Sequence, residues 1–345
     1  MTKSKKIQAV DLNKAFEGGA DMSAREEQIL ADIVQKTNFF PMKVIWKSSY
    51  WGTSQVGAVH YLGTYHNQQA VLKIQGVKSE VSEIYMIEQF IAQNRSKIIR
   101  PPKLFITLPW NDQQGYEAQI MEYVVGKQVL ESKKLQTREN IREFLKFYLE
   151  YRQNSLPSNP WLPKPSKPDA AKNTQNLFST SQKAYPNYPF RKSEDNKLAQ
   201  KTACLLSQIY KDISLEFVHG HISAYDLVYQ GRDVVLFSNL FWKWKYPFYD
   251  AVFGYHWFIY ELEHVKGITP DKVDEQRKIW QEGLFSLPMI AGSEGNIKLL
   301  RAAFLERAVV GLVLDSFLVD PKRPIAEYSI DSTRGEVKKF IKSLT

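Results

Sequence analysis

The sequence has little cysteine and no long apolar stretch. Cys204 is the one cysteine among 345 residues, which excludes an internal disulfide framework and a cysteine-based zinc site. A membrane-spanning helix needs about 20 predominantly apolar residues, whereas the apolar stretch Ala251–Tyr260 has ten residues and contains His256. The segment Met1–Lys6 is polar and no apolar stretch follows it, so we expect no secretory signal. These absences predict a cytoplasmic protein.

The composition indicates a folded, basic protein with more than one lobe. Hydrophobic residues make up 43% and charged residues 24% of the chain, which is enough to build a core and excludes wholesale disorder. At about 150 residues per domain, a chain of 345 corresponds to two domains or one two-lobed unit. The net charge of +9 suits a phosphate-bearing partner, and it suits equally a basic surface that keeps the protein soluble.

The residue pattern changes twice along the chain. Residues 1–43 read as an N-terminal extension with a short helix, and residues 44–125 hold short apolar runs separated by Gly, Asn and polar residues, which is typical of antiparallel strands. Residues 126–345 are mostly helical in pattern. Within them, residues 155–195 contain 7 of the 16 prolines, and we expect an exposed insertion there. A strand-rich lobe followed by a helical lobe predicts an α+β fold.

The most informative string is His219–Tyr229, in which two histidines, a serine and an aspartate precede a short apolar strand. A turn at Gly231–Asp233 leads to a second short strand that ends at Ser238. Two such strands around a tight turn place a polar cluster at each end of a hairpin. Pro247 and the pair Tyr249-Asp250 then lie nine, eleven and twelve residues after Ser238.

This order of residues resembles the aminoglycoside phosphotransferase and choline-kinase-like family of the protein-kinase-like fold. In that family a His-Gly-Asp catalytic loop precedes an Asn and an apolar strand, and a hairpin leads to a metal-binding Asp. A Pro and a Tyr-Asp pair follow at the spacing seen here. The resemblance covers about residues 46–315. It implies a small antiparallel-sheet N-lobe, a larger helical C-lobe, ATP and Mg²⁺ as cofactors, and phosphoryl transfer as the reaction.

The first half of the chain carries further residues that the resemblance assigns to nucleotide binding. Glu83 lies on the apolar face of a predicted helix, where a carboxylate needs a partner, and Lys73 at the end of an apolar strand is the obvious one. In the family, this lysine holds phosphates and the glutamate orients it. Residues 120–126 match the hinge that holds the adenine, and two glycines match the hairpin over the phosphates. The complete cofactor-binding set is Lys73, Glu83, Gly52, Gly57, Glu122 and Tyr123.

Two positions depart from the family. His221 stands at the place of the catalytic Asp and Ser238 at the place of the metal-binding Asp. A neutral hydroxyl is a poor ligand for Mg²⁺, and one general base contributes only about 10²–10⁴ in rate. Asp226 replaces the Asn that holds a second metal, so it either carries one weakly held metal or caps the loop by accepting backbone hydrogen bonds. The resemblance assigns His219 and Asp250 to the scaffold of the loop.

Three functions are consistent with these residues. The first is a degenerate phosphotransferase-like protein, a pseudokinase with a nucleotide-sized cleft that binds or regulates an unknown protein partner. The second is a divergent but active ATP-dependent small-molecule kinase in which His221 and Asp226 divide the work. The third is a basic nucleic-acid-binding adaptor, although no zinc-finger, RNP-type or basic-zipper pattern supports it. The adaptor would use the basic residues of the proline-rich segment, which are Lys164, Lys167, Lys172, Lys183, Arg191 and Lys192.

Overall fold

The computed structural model describes residues 16–17, 22–49, 56–166, 170–184, 187–313, 315–319 and 321–345. The described residues form two compact units. The first contains those up to Ala92 together with Arg100–Val125, and the second contains Gln93–Ile99 and those of Gly126–Thr345. Within the described ranges, no helix is both long enough and apolar enough to cross a bilayer.

Strands dominate the first unit and helices dominate the second, which confirms the predicted α+β class. The strands of the described chain are β1 (Phe16–Glu17), β2 (Phe40–Ser49), β3 (Val56–Tyr65), β4 (Gln68–Gln75), β5 (Lys78–Ser79), β6 (Ile99–Arg100), β7 (Leu104–Asn111), β8 (Tyr116–Glu122), β9 (Glu216–Val218), β10 (Leu227–Gln230), β11 (Asp233–Leu236) and β12 (Lys243–Lys245). The α-helices are α1 (Glu26–Thr37), α2 (Glu83–Gln93), α3 (Arg138–Glu150), α4 (Ala170–Ala184), α5 (Glu194–Ile209), α6 (Tyr249–Glu261), α7 (Pro270–Phe285), α8 (Glu294–Val313) and α9 (Ala326–Leu344). A π-helical turn, Tyr151–Ser155, continues α3.

The main sheet of the first unit has the strand order β2-β3-β4-β8-β7, and all of its neighbouring strands are antiparallel. His66 and Asn67 join β3 to β4, with φ of 47° and 61°. Positive φ at both central residues is what a two-residue hairpin turn requires, and Asn adopts it at little cost. The predicted antiparallel strands are therefore confirmed.

One face of this sheet packs on the helix that precedes it. Ile29 of α1 lies in one buried cluster with Leu72 of β4 and other apolar residues of the sheet. We expected residues 1–43 to be an extension, but the main sheet begins at Phe40 and α1 supplies part of its core. Most of the extension before Met22 lies outside the described residues.

A helix that is buried almost all round organises the second unit. Of the 13 residues of α6, only Trp257 and Glu261 are not buried, as is typical of a helix that is apolar on every side. It packs on α7 and α8. Strands β10 and β11 form the predicted hairpin, with Leu227 opposite Leu236, and β9 pairs with β12. These short strands carry the polar loop.

The proline-rich segment 155–195 is not exposed throughout, and our expectation is wrong for α4. Phe178 of α4 is buried, and the helix packs on α5 and α8. The expectation failed because the prolines lie on either side of this helix, with none between Pro168 and Pro186. No helix-breaking residue therefore interrupts α4. Before the helix, Trp161 meets Phe217 edge-on at 4.9 Å, so this end is also packed.

Phe178→Ala tests whether α4 is a packed element. We expect the free energy of unfolding to fall by about 3–5 kcal/mol, because the truncation removes a buried ring and leaves a cavity. Asn173→Ala on the same helix is the matched control, since Asn173 is exposed and such changes typically stay within about 0.5 kcal/mol. Chemical denaturation measures both variants. Equally small effects would show that α4 is not packed.

Candidate functional site

Lys73 lies in the middle of the main sheet of the first unit. It is on β4, opposite His60 of β3 and Gln119 of β8. Glu83 is the first residue of α2, and its carboxylate accepts a hydrogen bond from Lys73 Nζ. The Lys73 and Glu83 side chains are 16% and 10% exposed. The predicted ion pair is therefore present and largely shielded from water.

Two further buried polar residues accompany this pair, and sequence reasoning missed both. Burial, assisted by the charge of Lys73, lowers the pKa of His60 to about 3, so this imidazole is neutral at physiological pH. Burial raises the pKa of the Glu117 carboxyl, which lies near the charges of Glu83 and Lys73. The sequence did contain a signal for Glu117. Residues two apart on a strand face the same side of the sheet, so the alternation places Glu117 on the same face as Gln119. The surroundings of Lys73 are thus polar and desolvated.

An apolar row lies next to Lys73 on the same face of the sheet. Leu62, Val71 and Met121 are directly opposite one another on β3, β4 and β8, and all three are buried. Val71 precedes Lys73 by two residues, so both side chains face the same side. This face combines an apolar surface with a paired lysine, a combination that can accept a flat ring beside an anionic group.

The two predicted hinge residues have different surroundings. Glu122 ends β8, where its carboxylate pairs with Arg100 and accepts a hydrogen bond from the Lys103 backbone N–H at 2.8 Å. Its own N–H donates to the Lys103 carbonyl at 2.9 Å. The side chain of Glu122 therefore serves the sheet. Tyr123 follows the strand and is half-buried.

The structure describes one of the two predicted phosphate-loop glycines. Gly57 lies near the start of β3, where its carbonyl accepts a hydrogen bond from the Gly76 N–H at 2.9 Å. Gly52 lies outside the described residues. The assignment of both glycines to a phosphate-covering hairpin stays a prediction.

The loop that follows β9 in the second unit is built around one buried carboxylate. Asp226 is 2% exposed. Its Oδ2 accepts hydrogen bonds from the Ser223 N–H at 2.8 Å and the Ser223 hydroxyl at 2.6 Å, and it lies 3.3 Å from His221 Nδ1. Burial acts to raise the pKa of Asp226, but the interactions with His221, His219 and Ser223 outweigh it and lower this pKa. Asp226 is therefore a charged acceptor inside the loop.

His221 is held by the loop and by two aromatic rings. It stacks on Phe241 with a centroid separation of 4.2 Å and an interplanar angle of 14°, and the Phe253 ring lies 4.6 Å away. The side chain is 31% exposed. Because Nδ1 faces Asp226, Nε2 is the nitrogen that remains to meet a ligand. A histidine oriented by a carboxylate in this way can act as a general base.

Ser238 and Asp226 do not form a site that fits Mg²⁺. Ser238 follows β11 with φ of 59°, a left-handed conformation that costs a non-glycine residue about 1–2 kcal/mol, and it offers only a neutral hydroxyl. The ion prefers carboxylates together with phosphates and waters, whereas Oδ2 of Asp226 is already bonded within the loop. Among the residues that the structure describes, no group of three His, Cys, Asp or Glu side chains could hold a metal.

His219 and Asp250 are fully buried and both contact the region of α3. The backbone N–H of His219 donates to the Tyr151 hydroxyl at 2.7 Å, and its ring meets Trp242 edge-on at 5.3 Å. Asp250, in the first turn of α6, accepts a hydrogen bond from the Tyr148 hydroxyl at 3.0 Å. Burial lowers the pKa of His219 to about 4, so its ring stays neutral. These contacts suit the predicted scaffold role.

The chain is similar to known proteins in its fold and not in its sequence. No protein-family model matches the sequence, and no curated protein matches it either. The chain is similar to the solved structure of a thermostable mutant of aminoglycoside phosphotransferase APH(4)-Ia with ADP and hygromycin B, at 11% identity and a TM-score of 0.54, over 91% of this chain and 97% of that chain. It is similar to choline kinase from Cryptosporidium parvum Iowa II, at 13% identity and a TM-score of 0.54, over 92% and 97%.

A bacterial structure extends this likeness. Choline kinase LicA from Streptococcus pneumoniae is similar at 9% identity and a TM-score of 0.51, over 92% of this chain and 100% of that chain. The chain therefore has the two-lobed protein-kinase-like fold of aminoglycoside phosphotransferases and choline kinases, which confirms the predicted fold. The resemblance seen in the sequence is confirmed at the level of the fold.

Lys73→Met tests the ion pair of the first unit. We expect the free energy of unfolding to fall by about 3–5 kcal/mol, because the carboxylate of Glu83 would remain buried without its partner. Lys78→Met is the matched control, since Lys78 pairs with Asp112 at 2.8 Å but both side chains are exposed, by 53% and 79%, and such pairs contribute little. Chemical denaturation of the two variants should differ clearly. Equal stability would contradict the buried pair.

Proposed function

We propose that the chain is a degenerate phosphotransferase-like protein, a pseudokinase that binds a nucleoside triphosphate without transferring its phosphate efficiently. The observation that carries this proposal is the position of Asp226, whose carboxylate is buried and bonded within its own loop. His221 and Ser238 stand where the resembling family has its catalytic and metal-binding acids. Phosphoryl transfer depends on neutralising the charge of the phosphates, and among the described residues no group of three His, Cys, Asp or Glu side chains could hold a metal for this.

Nucleotide binding is supported by the first unit. Lys73, held by Glu83, would contact phosphate oxygens, and the apolar row of Leu62, Val71 and Met121 would face the purine. The similar APH(4)-Ia structure contains ADP and a LicA structure contains AMP, and we extend nucleotide binding to this chain as a proposal. A protein that binds nucleotide without turning it over would serve a cytoplasmic protein partner by binding or regulation.

A second candidate function has one specific observation in its favour. His221 Nδ1 lies 3.3 Å from Asp226 Oδ2, so the imidazole is oriented as a general base is oriented by its acid. A divergent kinase would use His221 Nε2 to take the proton of the attacking hydroxyl. A general base contributes only about 10²–10⁴ in rate, and charge neutralisation at the phosphates would still be missing. This missing charge neutralisation supports our proposal of a pseudokinase.

Thermal melting with ATP distinguishes the two functions. We expect ATP to raise Tm to the same extent in EDTA and in Mg²⁺, since Lys73 and not a metal would hold the phosphates. At about 100 times Kd, a ligand adds about 2.7 kcal/mol to stability. Lys73→Met should lose this ATP-dependent increase, whereas Lys78→Met should retain it. An increase that requires Mg²⁺ would contradict the proposal.

A phosphotransfer assay completes this test. With ATP and Mg²⁺, the wild-type protein should show little or no transfer to aminoglycosides, choline or simple sugars. The double variant His221→Asp with Ser238→Asp restores two acids and should strengthen Mg²⁺-dependent ATP binding. Robust turnover by the wild type that Asp226→Ala abolishes would establish the divergent enzyme instead.

A further inference from the structure

Lys243 lies beside the polar loop of the second unit. It is on β12, directly opposite Val218, the last residue of β9 before the loop begins. A Cβ at Gly220 would lie 2.9 Å from Lys243 Cε and 3.0 Å from the Phe241 carbonyl, so the lysine stem runs against the glycine backbone. Gly220 has φ of 73°, which only glycine adopts freely. The close approach fixes the course of the Lys243 side chain along the loop.

The charged groups that act on the ammonium group of Lys243 are themselves positive. The charges that act on it are those of Lys245 and Arg307, and within the described chain no carboxylate forms an ion pair with it. Burial, with these two cations, lowers the pKa of Lys243 well below its usual range. Arg307 has its own partner in Asp315, and Lys245 Nζ lies 3.9 Å from the centroid of the Tyr249 ring. Lys243, by contrast with Arg307, has no carboxylate partner in the described chain.

Lys243 and His221 both lie near the ring of Phe241. Lys243 Nζ is 5.8 Å from the centroid of the Phe241 ring, and the imidazole of His221 stacks on the same ring with a centroid separation of 4.2 Å. Lys243 is half-buried as a residue, and burial acts on its ammonium group. A half-buried cation without a counter-charge is costly in an empty site, and an arriving anion would remove that cost.

We propose that Lys243 anchors a metal-independent phosphate site beside His221. The ligand is an inorganic phosphate or the phosphate group of an ester, and the ammonium group takes the charge-neutralising place that a metal would otherwise hold. This proposal uses residues of the second unit alone and does not rest on nucleotide binding by Lys73. A phosphate suits the site better than a monocarboxylate does, because its charge approaches two at neutral pH and a second lysine, Lys245, lies near Lys243.

Thermal melting of the full chain in EDTA tests the proposal, with inorganic phosphate added at constant ionic strength. Phosphate should raise the Tm of the wild type by several degrees and should leave Lys243→Met unchanged. Lys201→Met removes the same charge from an exposed position of α5 and should respond as the wild type does. Lys243→Arg keeps the charge and should retain the response. The unliganded Lys243→Met should melt no lower than the wild type, since it loses only an unpartnered cation.

A measurement on the wild type avoids reliance on one variant. Backbone amide resonances of His219, Gly220 and His221 should shift progressively as phosphate is added in EDTA. ATP in EDTA separates the sources of the phosphate group: an ATP response that Lys73→Met removes and Lys243→Met retains, without any response to inorganic phosphate, would overturn the proposal. An equal phosphate response in Lys243→Met and wild type would also overturn it, as would a response that appears only with Mg²⁺.

Discussion

The arrangement of the polar loop depends on the hydrogen bonds that the buried carboxylate of Asp226 accepts. A buried charge is tolerated only when it accepts enough hydrogen bonds. The backbone N–H and the hydroxyl of Ser223 both donate to Asp226 Oδ2, and His221 Nδ1 lies nearby. The same contacts fix the imidazole of His221 between two aromatic rings. The contacts that stabilise the loop therefore use Oδ2 of Asp226, the acid that a metal would need.

The two units compensate their buried charges in different ways. In the first unit, Lys73 is paired with Glu83, and the nearby His60 stays neutral because burial depresses its pKa. In the second unit, Asp226 is compensated within the loop, whereas the charges that act on Lys243 are those of two other cations, Lys245 and Arg307. The lack of a carboxylate partner at Lys243 is the reason why we propose a phosphate site there that needs no metal.

The fold and part of the site could be predicted because they depend on local sequence pattern and fixed spacing. Short alternating runs predicted the antiparallel sheet, and the spacing from Ser238 to Tyr249-Asp250 indicated the kinase-like fold. The apolar helical face of Glu83 indicated its partner. The packing of α4 could not be predicted from its composition, because the flanking prolines dominate that composition, although the helix itself contains none.

The parts of the site that sequence missed depend on contacts between distant segments. The burial of Glu117 follows from strand pairing and from the position of α2, neither of which its neighbours in sequence reveal. The electrostatic surroundings of Lys243 include Arg307, which is remote in sequence and pairs with Asp315. Which charges lie near one another in this way can be read only from the folded structure.

The most direct test of this account is the stability of Asp226→Asn, measured by chemical denaturation in EDTA. An amide has the shape of the carboxylate but no charge, and hydrogen bonds to charged groups contribute about 1.5–3 kcal/mol each. We predict that the variant loses about 2 kcal/mol or more without any metal present, because the loop itself uses the charge. Unchanged stability in EDTA, together with the loss of a Mg²⁺-dependent stabilisation that the wild type shows, would mean that Asp226 serves a metal and would contradict the account.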